Sequence, residues 1–259
     1  MPSPSVAPRA GGAGAAASAP EIFGVRVEAD ESSALAEQIV AWALEGRGRV
    51  VDLASVHTVM EARDGAEFRR ALQGMDRVVA EGIPLVWLLR RRGLSRAQRV
   101  GSPELLDAAC AAAAKAGVPV GFLGGRPEVL ARMVNVLQWR HPSLVVVERV
   151  ARPVAEVDPA LDREQAARMA ASGAGIVFVG LGCPRQERWM AAQGGRIPAV
   201  LVGVGSAFDF HAGMLRQGPV WLQRLGLEWV ARLAQQPRRL WKRYLWHNPR
   251  FLWAVLWRR

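Results

Sequence analysis

Short apolar runs alternate along the chain with segments whose apolar residues recur at helical spacing. Arg49–Ala54 and residues 118–123, 144–150, 176–179 and 199–204 are rich in β-branched residues and show little polar alternation, as in strands covered on both faces. Residues 22–27 alternate and predict a further short strand. Ser32–Leu44 carries Leu35, Ile39, Trp42 and Ala43 at helical spacing, with Ser32 or Ser33 as its cap and residues 46–48 as its end. Further helices are predicted from residue 55 to about 71, over 103–116 with Gly117 as C-cap, from Gly124-Gly125 to Trp139, and from about 162 to 171. Strand followed by helix, repeated about six times, predicts an α/β fold: a doubly wound, mostly parallel, Rossmann-like sheet with right-handed crossovers.

Residues 176–213 hold two copies of one layout. Each apolar run breaks at paired glycines, Gly180 and Gly182 in the first and Gly203 and Gly205 in the second. Polar side chains follow: Arg185, Gln186 and Glu187 after the first break, Asp209 and His211 after the second. Ligands bind at the carboxyl edge of such strands, and glycine admits close backbone approach and positive φ. The two strand ends are therefore expected to form one pocket floor. Each pair is only part of a dinucleotide fingerprint, since no third glycine and no ribose-binding acid stand at the required spacing. A phosphate- or sugar-binding edge fits better, and no cofactor is expected.

Composition narrows the partners. The net charge of +11 favours an anionic partner and leaves nucleic acid, anionic lipid and a phosphorylated small molecule open. Residues 1–20 are Ala/Gly/Pro/Ser-rich and are expected to be a disordered tail, residues 21–215 the α/β domain, and residues 216–259 a helical appendage. The appendage carries Arg216, Arg224, Arg232, Arg238, Arg239, Lys242, Arg243, Arg250, Arg258 and Arg259 against the single acid Glu228, together with Trp221, Trp229, Trp241, Trp246, Trp253 and Trp257. Arginine with tryptophan suits an interfacial helix at anionic headgroups, and equally suits stacking on nucleic-acid bases. Pro237 and Pro249 are expected to divide the appendage into short pieces, and no apolar stretch reaches the ~18 residues a membrane span needs. Cys110 and Cys183 read as reduced packing residues.

Individual acids have two readings. Glu81, in the turn Ala80-Glu81-Gly82-Ile83-Pro84, is either a solvated turn acid or a general base at a strand end. Gln186, Glu187 and Asp209 bind ligand or merely cap their own helices. His57, His141, His211 and His247 do not cluster at metal-ligand spacing, so no metal is expected.

Gly180-Leu-Gly-Cys-Pro-Arg-Gln-Glu187, Gly203-Val-Gly-Ser-Ala-Phe-Asp209 with Ala212-Gly213, and Gly226-Leu-Glu-Trp229 with Arg232 and Pro237-Arg238-Arg239 stand in this order. They resemble the WecG/TagA/CpsF glycosyltransferases, whose pattern reads GLGxPKQE, GVGxxFDFxAG and GLEWxxRLxxEPxR. The likeness runs over about residues 22–251. It implies an inverting, metal-independent enzyme that moves a sugar, of the N-acetylmannosamine type or glucose, from a UDP-sugar to an undecaprenyl-diphosphate-linked acceptor. Such an enzyme builds bacterial cell-surface polysaccharide as a cytoplasmic protein peripheral to the inner face of the membrane, with no nucleic-acid partner and with homo-oligomerisation left open. The resemblance gives Glu81 the role of base and makes Gly180, Gly182, Gln186, Glu187, Gly203, Gly205 and Asp209 the donor side. It has Arg232, Arg239 and Lys242 closing over the diphosphate, and Ser55, His57, Arg99 and Glu104 on the acceptor side. Three positions depart from the family: Ser55 ends a strand where Thr-x-Asn is usual, Glu81-Gly82 replaces Asp-Gly, and Ser102-Pro-Glu104 replaces Gly-x-Asp. Those departures motivate a second reading, a non-catalytic binder of nucleotide sugars or nucleic acid diverged from the family.

Overall fold

The computed structural model describes residues 19–152, 158–219, 221–222 and 226–257. The side chains of Arg239, Lys242 and Arg243 lie outside the described residues, as do most of the expected N-terminal tail and positions 153–157 of the proline-bearing loop. A two-stranded antiparallel hairpin, β1 (Glu21–Ile22) and β2 (Val25–Arg26), opens the fold in place of the single strand expected at 22–27. Phe23 and Gly24 turn the chain with positive φ, 51° and 80°.

Six parallel strands follow: β3 (Arg49–Ala54), β4 (Arg77–Ala80), β5 (Val120–Gly124), β6 (Val146–Val150), β7 (Ile176–Gly180) and β8 (Val200–Gly203), in the spatial order β4-β3-β8-β7-β5-β6. The helices are α1 (Ser32–Leu44), α2 (Val56–Asp64), α3 (Ala66–Gln73), α4 (Ile83–Arg91), α5 (Ser102–Ala116), α6 (Pro127–Arg140), α7 (Pro159–Ala171), α8 (Arg185–Gln193), α9 (Ala207–His211), α10 (Glu228–Gln235) and α11 (Pro237–Trp257). The α/β class and parallel sheet agree with the sequence pattern. The four central strands are buried along nearly their whole length, which is why their sequences carry no alternation. Phe122 and Phe178 stack across β5 and β7, at 5.5 Å between centroids, and Phe208 meets Phe122 edge-on at 5.9 Å.

Several local details depart from expectation. Glu31, in extended backbone, is the residue that precedes α1, so neither Ser32 nor Ser33 caps it. The helix expected to run from residue 55 to 71 breaks at extended Gly65 into α2 and α3. The appendage is not cut into short pieces: α11 runs unbroken through Pro249. Proline removes one backbone hydrogen bond, but tertiary contacts hold the helix on both sides of it. Phe251 is 3% exposed within the core cluster shared with α2, α3 and α4, and Arg250 grips Asp64 with two bonds of 2.8 Å.

The order in which strands are added across the sheet reverses between the parallel neighbours β5 and β7: β5 leads outward to β6 on one side and β7 leads to β8 on the other. From β5 the chain turns to α6, whose Val129, Leu130 and Met133 cover one face of the sheet. From β7 it turns to α8, whose Trp189 and Met190 cover the other. Adjacent strand ends that diverge in this way leave a crevice at their carboxyl edge. Its walls are bare backbone: a Cβ on Gly124 would lie 2.5 Å from the Gly180 carbonyl oxygen.

Candidate active site at the carboxyl edge of the sheet

Every strand end that contributes to the site faces this one edge. A cavity of about 390 Å³ is lined by Ser55 after β3, Glu81 after β4, Gly125 and Arg126 after β5, Gly180 and Gly182 at β7, and Gly203, Gly205, Ser206 and Asp209 at and after β8. Gln186, Glu187, Arg232 and Tyr244 complete much of its wall. A second cavity of about 330 Å³ adjoins it, lined by Ile83, Pro84, Trp87, Leu227, Trp229, Phe251 and Leu252, with His57 and Arg99. The two share Ser55, Glu81, Arg232 and Tyr244. One chamber is polar and floored by glycine; the other is dominated by aromatic and aliphatic side chains.

The paired glycines divide their work. Gly182 and Gly205 have positive φ, 74° and 52°, with open space around the missing Cβ, so backbone conformation demands them. Gly180 and Gly203 are demanded by packing. A Cβ on Gly180 would stand 2.7 Å from the Phe208 ring, and one on Gly203 would stand 2.5 Å from both Asp52 Oδ1 and Gln186 Nε2.

Glu81 is held from two directions. Its backbone N–H donates to the Ala54 carbonyl at 2.9 Å, continuing the β3–β4 pairing past the strand end. Its carboxylate accepts from the Ser102 amide in the first turn of α5, at 3.2 Å. The loop acid is therefore fixed on the wall between the chambers. Ser55 caps α2 in a capping box with Thr58, so its hydroxyl also serves the helix start.

Gln186 and Glu187 form the floor rather than reach into the cavity, at 4% and 1% exposure. Gln186 accepts from the Gly205 amide at 2.9 Å and donates to Asp52 Oδ1 at 3.2 Å, tying the β8 turn to β3. Asp52 is fully buried at the sheet centre, and no reading of the sequence singled it out. Burial, and next the nearby Glu187 charge, push its carboxyl well above the ordinary value of 3.8. An acid within the otherwise apolar run Val50-Val51-Asp52-Leu53 was the available signal.

Arg232, on α10, donates to the Ser206 hydroxyl and lies 5.4 Å from the Phe210 ring, so the appendage reaches the polar chamber through it. Arg99 donates to Glu228 at 3.0 Å in the apolar chamber; burial raises the Glu228 pKa even with that cation beside it. Glu104 lines neither cavity and instead accepts from Gln217 at 3.0 Å. Arg185 is likewise absent from both linings, and His211 bonds the Pro103 carbonyl at 2.9 Å. The side chains of Arg239 and Lys242 lie outside the described residues.

The sequence also left out Arg126, Tyr244 and Trp87, which come from elements far apart in the chain. The expectation that histidines stay apart needs correcting. His57 and His247 meet with ring centroids 4.7 Å apart, and Glu61 lies beside both, because α11 folds back over α2.

No helix among the described residues is long and apolar enough to cross a membrane. Large apolar side chains are nevertheless exposed along α11, among them Trp241, Trp246, Trp253 and Trp257. The family model for glycosyl transferases of the WecG/TagA/CpsF family matches residues 20–259, nearly the whole chain, and with the strand-edge site carrying the family's glycine pairs the chain belongs to that glycosyltransferase family of cell-surface polysaccharide biosynthesis.

Proposed function

We propose that the protein is an inverting transferase that moves a hexosyl group from a UDP-sugar to an undecaprenyl-diphosphate-linked sugar. The observation that carries this reading is the position of Glu81 on the wall shared by the polar and the apolar chamber. A nucleotide sugar needs backbone amides and cations for its diphosphate; Gly182, Arg126 and Arg232 line the first chamber and would supply them, while the Gly205 amide stays bonded to Gln186 and holds the neighbouring turn. An acceptor carried on a lipid suits the second, with Trp87, Trp229 and Phe251 in its wall.

In the reaction, Glu81 takes the proton of the acceptor hydroxyl as that oxygen attacks the anomeric carbon. The bond from that carbon to the diphosphate oxygen breaks, and UDP leaves with the electron pair. Arg232 and the turn amides neutralise the charge that develops, so this step is assigned no divalent ion. General-base assistance of this kind contributes roughly 10²–10⁴-fold.

Membrane association belongs to the same proposal. The exposed tryptophans of α11 and its neighbouring arginines fit an anionic bilayer surface, with the enzyme peripheral to the cytoplasmic face. The test is UDP release from UDP-sugars in the presence of a defined undecaprenyl-diphosphate-sugar. Glu81→Gln is expected to lower kcat at least about a hundredfold while UDP binding is retained. Undiminished turnover in that variant would refute Glu81 as base, and UDP binding by the native chain with no release under any donor would favour the non-catalytic reading.

A further inference from the structure

We infer that His57, Glu61 and His247 form a binding site for a divalent first-row transition cation of the Zn²⁺ type, one that fastens α11 to α2 outside the polar chamber. His57 and Glu61 stand one turn apart on α2 and so project from one face. His247 arrives on that face from α11. Its Nε2 is 3.4 Å from Glu61 Oε1, and His57 Nδ1 is 3.8 Å from the same oxygen. One ligand atom from each residue lies within 4.8 Å of the other two.

A tetrahedral ion with bonds of ~2.0–2.1 Å keeps its ligand atoms roughly 3.3 Å apart. The His247–Glu61 edge already has that length, the His57–Glu61 edge closes with a side-chain movement of about half an ångström, and the two imidazole nitrogens, within 4.8 Å of one another, close with a movement of at most about 1.5 Å. Two imidazoles and one carboxylate are a donor set suited to Zn²⁺ and its first-row neighbours and unsuited to Mg²⁺ or Ca²⁺, which take oxygen ligands. The His57 and His247 side chains are only 12% and 10% exposed, whereas Glu61 at 31% leaves a route in and room for a water as fourth ligand.

The placement gives the ion a role. The Arg250–Asp64 pair ties the same two helices nearby, so the cation adds a second fastener along one seam. α11 also supplies Tyr244, Asn248, Phe251 and Leu252 to the apolar chamber. Occupancy would thus set the pose of that wall without touching Gly182, Gly205 or Asp209.

The experiment uses the full chain, free of any histidine tag and stripped with chelator, titrated with Co²⁺ as a spectroscopic stand-in for Zn²⁺. Intense tetrahedral ligand-field bands saturating at one equivalent and displaced by Zn²⁺ are expected. Zn²⁺ is also expected to slow amide hydrogen exchange along α11. Glu61→Gln and His247→Gln should each weaken Zn²⁺ binding by about a hundredfold or more, while His141→Gln, at a histidine remote from the seam, should not. Glu61→Gln is the variant that preserves side-chain shape, so a fold lost in His247→Gln leaves the question decidable. Absent bands, bands that survive both substitutions, or bands equally lost in His141→Gln would overturn the site. Binding with unchanged α11 exchange would overturn its role as a fastener. None of these readouts depends on transferase activity, so they stand or fall apart from the proposed reaction.

Discussion

Gln186 offers a sharp quantitative test, because its two bonds join the floor of the polar chamber to the centre of the sheet. In Gln186→Leu the Gly205 amide loses its acceptor and Asp52 Oδ1 loses its donor. Asp52 is the more serious loss: it is fully buried, and its Oδ2 already has no hydrogen-bond partner among the described residues. An orphaned buried polar group costs about 1–3 kcal/mol. The Gly205 amide borders the cavity and falls at the low end, where water replaces the lost partner. The sum is about 2–4 kcal/mol, or a fall in Tm of roughly 5–15 °C for a chain of this size. Gln186→Glu keeps the acceptor for Gly205 but sets a third acid beside Asp52 and Glu187, so its deficit should widen as pH rises. Thermal unfolding followed by circular dichroism at about pH 5 and about pH 8 separates the two variants. A Tm change under about 1 °C in Gln186→Leu, or a Gln186→Glu deficit that does not grow with pH, would refute the bridge as a source of stability.

Other consequences can be checked with the same instruments. The folded state raises the Asp52 pKa, so the native protein holds a proton that the unfolded chain releases above 3.8. The resulting stability is complete below that value and is lost as pH rises through the folded value; Asp52→Asn should therefore gain in Tm over the native chain as pH rises, and parallel Tm profiles would contradict this. Gly203→Ala places a methyl group 2.5 Å from Asp52 Oδ1 and Gln186 Nε2 and 2.7 Å from Met190 Cε, so a destabilisation of about 1–3 kcal/mol is expected in urea unfolding. Phe251→Ala empties a site that is 3% exposed, costing about 3–5 kcal/mol by the same measurement, and hydrogen exchange should localise the loosening to α11 and the β1–β2 hairpin that Phe23 joins to it.

The sheet was legible because parallel strands buried on both faces must be apolar throughout, and the chain writes that condition directly as Val50-Val51, Val177-Phe178-Val179 and Val200-Leu201-Val202. The details that escaped depend on contacts between distant segments. Whether Pro249 ends a helix is decided by Phe251 and Arg250 finding partners far away in the sequence, on α2 to α4, and nothing within the appendage signals that. The hairpin at residues 21–26 turns on a non-glycine residue at positive φ, a conformation that composition does not advertise.

At the site, the glycine pairs located the floor but concealed their division of labour. A motif of the form Gly-x-Gly looks like two positions opened for one ligand, and all four glycines do border the cavity, yet Gly180 and Gly203 make room for Phe208 and for the Asp52–Gln186 bridge, while Gly182 and Gly205 are required by positive φ with open space at the missing Cβ. The motif therefore records two constraints at once: the second glycine shapes a turn toward solvent, and the first lets the layer beneath hold that turn still. The same division applies to the acids. Glu187 and Asp52 lie in the buried layer, where burial raises the Asp52 pKa, whereas Glu81 lies above it, bonded through one oxygen to the start of α5 and bordering both chambers. Of the carboxylates lining the two cavities among the described residues, Glu187 and Asp209 border only the polar one and Glu228 only the apolar one, whereas Glu81 borders both; in the proposed reaction that shared position, more than its turn sequence, is what makes it the candidate base.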